Sequence, residues 1–299
     1  MRIIVIGSNG IIGREVLSQL KLFYPNADIY QINRKKIENN EKSFSIDLLN
    51  VNNEEIAKII NNIKPNLLFH LAWYTDHKDY LTSSLNKSWE TSTINLINAF
   101  YNSGGEKFIG LGSSIEYDWN FQSPFKENSI HLNGNKWPYG EAKTNVFKYL
   151  NSLNGISFQW DRVFFVFGPG QSKSRLIPLI IDNAINGGTP LKVNLNLKRD
   201  YISTFEIAKQ ITMMSNCNYS GSINICSSYS LLLSQLIEKI ESVIKKKVTI
   251  SNEVYNDNFE INEIVGSNDV IRSYYPNYFY NIDKLDTDLE NTINFIIKN

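Results

Sequence analysis

The 299 residues carry 30 lysines and arginines against 30 aspartates and glutamates, with 42% hydrophobic and 20% charged residues. That balance gives no electrostatic case for nucleic acid or an anionic membrane surface, and no apolar run approaches the roughly 20 residues needed to span a bilayer. The chain opens on a strand rather than on a leader's basic and apolar segments, which makes a cytoplasmic enzyme of one large or two modest domains the expectation. Cys217 and Cys226 are too few for a disulfide framework and read as two buried small hydrophobes.

Residues 2–6 form a short β-branched run of the kind found in a strand buried on both faces. Gly7, Gly10 and Gly13 follow three apart, and Ile12, Val16, Leu17 and Leu20 then repeat with helical period. A plain βα turn uses such glycines, and so does a dinucleotide site. In the second case Gly7 reverses the chain, Gly10 admits a pyrophosphate, and Gly13 packs the helix on the sheet with its N-terminus toward the phosphates. The strand before and the helix after favour the dinucleotide site.

Residues 28–33 read as a second strand, 43–46 as a third ending at Asp47, and 66–72 as a fourth. Between the last two, residues 53–63 place Ile56, Ile59, Ile60 and Ile63 on one face of a helix that stops before Pro65. A long helix over 81–103, closed by Gly104 and Gly105, precedes a fifth strand at 107–112. Strands alternating with helices predict a Rossmann-type doubly wound parallel sheet of the α/β class, with its ligand crevice at the strand C-termini.

Ser113 and Ser114 end the fifth strand and lead through Glu116 to Trp119. After a polar loop, Pro138 suits the first turn of a helix over 139–153, so Tyr139 and Lys143 stand four apart on one face. A tyrosine of pKa about 10 exchanges protons near neutrality only where positive charge stabilises its phenolate, and an ammonium one turn away is such a charge. Taken alone, Tyr-x-x-x-Lys describes any amphipathic helix surface. Further on, Leu176, Leu179, Ile180 and Ile185 predict a helix, 190–195 and 221–226 strands, 231–244 a helix and 247–250 a strand. Leu285, Leu289, Ile293, Ile296 and Ile297 mark a terminal helix. The expected division is a dinucleotide-binding domain over 1–165 and a smaller, mainly substrate-binding α/β region over 166–299, with one of its strands returning to the sheet.

Together these residues resemble the extended short-chain dehydrogenase/reductase family of nucleotide-sugar epimerases, dehydratases and ketoreductases. Other matching segments are Asp47, His70-Leu71-Ala72, Phe167-Gly168-Pro169-Gly170, Arg175-Leu176-Ile177-Pro178 and Arg199-Asp200-Tyr201. The resemblance implies Ser113, Tyr139 and Lys143 as catalytic residues. Tyr139 would donate a proton to a sugar carbonyl, Ser113 would hydrogen-bond that oxygen, and Lys143 would hold the nicotinamide ribose. It implies cofactor contacts from Gly7, Asn9, Gly10, Ile11, Ile12 and Gly13 in the first turn. Asn33, Arg34, Asp47, Leu48, Leu71 and Ala72 would add contacts at later strand ends. Ser114, Arg175, Leu176 and Arg199 are implied substrate contacts, with Arg199 on a phosphate and Asp200 structural. A homodimer through the helices at 81–103 and 139–153 is implied as well, with no metal.

The departures narrow the activity. Ser114 and Ile115 stand where family dehydratases carry an acidic pair, although Glu116 is nearby, and Phe165 stands where a substrate-contacting asparagine is frequent. Asn33 replaces the carboxylate of NAD-preferring enzymes and is followed by Arg34, Lys35 and Lys36, which favours NADP(H) with NAD possible. The stretch 113–119 resembles deoxysugar ketoreductases. The expectation is NADPH-dependent reduction of a nucleotide-linked 4-keto-6-deoxysugar, serving deoxysugar synthesis for a surface polysaccharide. A nucleotide-sugar 4-epimerase with retained NAD and a non-catalytic NAD(P)-sensing protein are the alternatives.

Overall fold

The computed structural model describes residues 1–35, 40–131, 137–252 and 261–298. It divides into two compact units, one of Met1–Asp118, His131–Val163 and Ala208–Ile223, the other of Trp119–Ile130, Phe164–Ile207 and Asn224–Asn299.

In the first unit β1 (Arg2–Ile6) leads to α1 (Ile11–Phe23), β2 (Asp28–Asn33), β3 (Ser43–Ser45), α2 (Asn53–Ile63) and β4 (Leu67–His70). Then come α3 (Leu85–Asn102), β5 (Lys107–Ser113), a 3-10 turn (Ser114–Glu116), α4 (Pro138–Ser152) and β6 (Ser157–Val163). After β7 (Phe165–Phe167), α5 (Leu176–Asn186), β8 (Lys198–Arg199), β9 (Tyr201–Ser203) and α6 (Thr204–Ser215), β10 (Gly221–Ile225) completes a seven-stranded sheet in the order β10-β6-β5-β4-β1-β2-β3. Pairing from β3 across to β6 is parallel throughout. The order reverses between β1 and β4, and it is outside the C-terminal ends of strands at such a reversal that doubly wound sheets bind ligands.

Local chemistry accounts for the elements. Ile3, Ile4 and Val5 are fully buried, as a central parallel strand requires. Asn52 caps α2 by accepting the Glu54 N–H at 3.0 Å, and Lys64 in the left-handed region ends it before Pro65. Pro138 opens α4 in its first turn. The helix expected from residue 81 begins only at Leu85, because Asp76 and Asp79 gather residues 76–83 into turns through their carbonyls. The fourth strand is likewise shorter than expected, ending at His70, and β5 runs one residue further, to Ser113.

The second unit pairs β7 with β9 and contains a small sheet in the order β11-β8-β12, where β11 is Leu231–Leu232 and β12 is Glu263–Ile264. Its helices α5, α7 (Leu233–Ile244) and α9 (Ile282–Lys298) pack together, with α8 (Asp269–Tyr274) before the last of them. Two expected strands are absent. Residues 190–195 and 247–250 share only a Leu191–Ile250 bridge, because Asn194 turns the chain by accepting the Asn196 N–H at 3.1 Å. Leu231 and Leu232 extend along β8 instead of joining α7. Leu179 is 40% exposed, so the buried stripe of α5 is Ile177, Ile180, Ile181 and Ala184 rather than the expected set. Ile297, expected inward on α9, is exposed. No helix of the described residues is long and apolar enough to cross a membrane.

Candidate active site

The turn after β1 is built by exclusion of side chains. Gly7 has φ +82°, and a Cβ there would meet the Ala72 nitrogen at 2.8 Å. A Cβ on Gly13 would lie 2.2 Å from the Gly7 carbonyl oxygen, so α1 approaches the turn more closely than any other residue permits. Gly10 is the N-cap of α1 and offers no side-chain acceptor, leaving the first N–H groups of the helix, at Ile11 and Ile12, as an anion-binding end. These features fit a dinucleotide pyrophosphate.

Asn33, at the end of β2, braces that turn. Its Oδ1 accepts the Asn9 N–H at 3.1 Å and its Nδ2 donates to Ser8 Oγ at 2.8 Å, while Ser8 Oγ donates to Gln31 Oε1 at 2.9 Å. Arg34 and Lys35 next to it are exposed, and Lys36 lies outside the described residues. Asp47 is exposed and holds its own turn through the Leu49 N–H and Asn50 Nδ2, whereas the Leu48 side chain belongs to the hydrophobic core. Leu71 and Ala72 follow β4, with the Leu71 N–H bonded to the Ile6 carbonyl at 2.9 Å.

At the end of β5 and on the first turns of α4 the structure gathers Tyr139 and Lys143 around an aromatic cluster. Lys143 Nζ donates to the Leu111 carbonyl at 2.7 Å, lies 3.5 Å from the centre of the Trp73 ring and is 5.6 Å from that of Tyr139. Burial pushes its amine down to about 7, against which the Glu116 carboxylate acts in the other direction. Tyr139 packs edge-on against Tyr80 at 5.2 Å. His70 is buried with Nε2 on Thr93 Oγ1 at 3.0 Å. Burial first and the Lys143 charge second bring its pKa to about 3, which keeps it neutral.

Ser113 caps the 3-10 turn, its Oγ accepting the Ile115 N–H at 3.4 Å, and Ser114 is buried behind it. Glu116 is a buried anchor rather than a free acid. It accepts the Ser113 N–H at 2.8 Å, Trp160 Nε1–H at 3.0 Å and Arg162 Nε–H at 3.0 Å. Gly112 makes room for it, since a Cβ there would stand 2.5 Å from Glu116 Oε1. Arg162 is itself fully buried, donating also to Tyr117 Oη at 3.1 Å and Ser222 Oγ at 3.0 Å. Sequence signals for this pair are slight: a glutamate in an apolar strand-end segment and an arginine inside a buried strand.

Arg175, Leu176 and Arg199 belong to the second unit. Arg175 is the N-cap residue of α5, and Leu176 opens that helix. Arg199 is 6% exposed, donates to the Lys198 and Ile261 carbonyls at 2.8 and 3.0 Å, and lies over the Phe165 ring at 5.5 Å. Asp200 accepts Ser227 N–H and O–H, Ser228 N–H and Gly266 N–H, an arrangement that joins three chain segments.

Comparison with known proteins identifies the family. The chain is 25% identical to a UDP-N-acetylglucosamine 4-epimerase from Methanobrevibacter ruminantium M1, with a TM-score of 0.85 over 99% of this chain and 98% of that one. It superimposes with a TM-score of 0.82 on the Thermus thermophilus UDP-glucose 4-epimerase in complex with NAD, at 16% identity over 99% of each chain. A Mus musculus dTDP-D-glucose 4,6-dehydratase is 23% identical over 82% of this chain and 73% of its own length. A family model spans residues 3–226, and the chain belongs to the NAD dependent epimerase/dehydratase family.

Proposed function

We propose that the protein is an NADPH-dependent reductase of a nucleotide-linked 4-keto-6-deoxysugar. The observation that carries this reading is the pairing of Lys143 with Tyr139 beside the end of β5 where Ser113 sits. When bound, the reduced nicotinamide supplies hydride to the carbonyl carbon. Tyr139 delivers a proton to the carbonyl oxygen, Ser113 Oγ donates a hydrogen bond to that oxygen, and Lys143 stabilises the phenolate left behind and binds the nicotinamide ribose. Arg199 would bind a phosphate of the sugar nucleotide, with Ser114, Arg175 and Leu176 completing the substrate contacts.

Two features weigh against water elimination. The acidic pair of a dehydratase is absent at Ser114 and Ile115, and the carboxylate of Glu116 is already committed to Arg162, Trp160 and the Ser113 N–H. NADPH use is supported by Asn33, whose uncharged amide sits where a carboxylate would repel a 2′-phosphate, and by exposed Arg34 beside it. A second reading, a 4-epimerase with retained NAD, is favoured by the 25% identical epimerase structure. The same proposal includes a homodimer through α3 and α4. The test offers purified protein NADPH with dTDP-, CDP- and GDP-linked 4-keto-6-deoxysugars and identifies products by NMR. Reduction at C4 of one of them is expected, and unchanged sugars throughout would overturn the reading.

A further inference from the structure

One large side chain beside Tyr139 and Lys143 belongs to no recognised motif. Trp73 follows His70-Leu71-Ala72 at the end of β4, and it is fixed by groups outside the catalytic pair. Its Nε1–H donates to Asn86 Oδ1 at 2.9 Å, and Asn86, fully buried, is locked by donating to the Tyr80 and Ser83 carbonyls at 2.6 and 3.0 Å. The indole also stacks on Trp89, with centres 5.8 Å apart and planes inclined by 27°. Held in this way, it meets Tyr139 edge-to-face at 6.3 Å and 87°, and its ring centre lies 3.5 Å from Lys143 Nζ.

Lys143 is only 3% exposed, so its ammonium depends on the groups that surround it. Leu111 supplies one carbonyl from β5. The titratable and charged groups facing it are Tyr139 on its own helix, neutral His70 from β4, and Glu116 from the 3-10 turn, whose carboxylate is engaged by buried Arg162. Among the described residues no carboxylate forms an ion pair with Lys143. The face of an indole attracts a cation electrostatically, and most strongly where water is excluded.

We infer that Trp73 is a positioning residue of this site: its π face holds Lys143 in the charged form while its edge fixes the Tyr139 ring, so the indole sets the pH range over which the pair works. The inference rests on the reading of Tyr139 and Lys143 as the proton-transfer pair. Without the π face the ammonium is less stable and loses its proton at lower pH, so the alkaline limits of NADPH binding and of kcat move down.

The experiment compares wild type, Trp73→Phe and Trp73→Leu in the full chain, measuring NADPH affinity and kcat with a keto-sugar substrate from below to well above neutral pH, with thermal unfolding alongside. Trp73→Leu should move both alkaline limits down by about one pH unit, and Trp73→Phe, which keeps a weaker π face, by less. Should Trp73→Leu not fold, the shift in Trp73→Phe decides. Identical limits in the folded variants, with only thermal stability reduced, would overturn the inference. A wild type that neither binds NADPH nor reduces any keto sugar would overturn the catalytic reading itself, a result visible before any variant is made.

Discussion

Two buried sites, one in each unit, hold charged groups by different means. In the first, Glu116 and Arg162 neutralise each other with both side chains wholly inaccessible, and Lys143 rests on a carbonyl and an indole. In the second, Asp200 has hydrogen bonds from backbone N–H groups and the Ser227 hydroxyl. Burial alone pushes its pKa up, and those donors bring it only partway back, to about 7. Charge–charge coupling makes Glu116 and Arg162 each sensitive to the other. Backbone donors make Asp200 a fastening between segments, with no charged partner to respond to.

The largest effect is expected on removing one member of the buried Glu116–Arg162 pair. Arg162→Met leaves the Glu116 carboxylate buried and unpaired, and should lower unfolding free energy by about 3–5 kcal/mol in urea, with much of it recovered when Glu116→Leu is added. A single variant as stable as wild type would show that Glu116 is not held as an ion. Next in size, Tyr139→Phe should lower turnover about 100- to 1000-fold with folding and NADPH affinity unchanged, and near-normal turnover would remove Tyr139 from catalysis.

Asp200→Asn probes the other unit. An amide replaces an acceptor with a donor opposite backbone N–H groups, at an expected cost of about 1–3 kcal/mol. Its pH signature has a definite sign. Because the folded-state pKa of Asp200 is raised to about 7, the native chain binds more protons than the unfolded one between the ordinary aspartate value and about 7, so this group's contribution to stability declines as pH rises through that window. Asp200→Asn should flatten that part of the stability–pH curve, and an unchanged slope would place the raised pKa elsewhere. The smallest effect is expected at the cofactor's ribose: Arg34→Ala or Asn33→Asp should narrow or reverse a preference for NADPH over NADH in titrations at moderate salt. Equal affinities in the wild type would favour the epimerase.

What the sequence made legible follows the range of the interactions. β1, the glycine turn and α2 could be read to their ends because their determinants lie within a few residues: β-branched runs, glycines three apart, an asparagine cap before an isoleucine stripe. Residues 190–195 misled because an asparagine turn outweighed their alternation, and Leu231–Leu232 because only pairing with distant β8 makes them a strand. The same limit applies to the candidate site. Ser113, Tyr139 and Lys143 are named by a family resemblance carried on short local motifs, whereas Glu116 finds Arg162 46 residues away, and Trp73 acquires its place from Asn86, Trp89 and Lys143 on two other elements.

Net reduction is tested by following the absorbance of reduced nicotinamide during conversion of the accepted keto sugar. One NADPH should be oxidised for each hydroxy sugar formed, with the decay slowed about 100- to 1000-fold in Tyr139→Phe. Sugar product accumulating while the nicotinamide absorbance stays constant would contradict it.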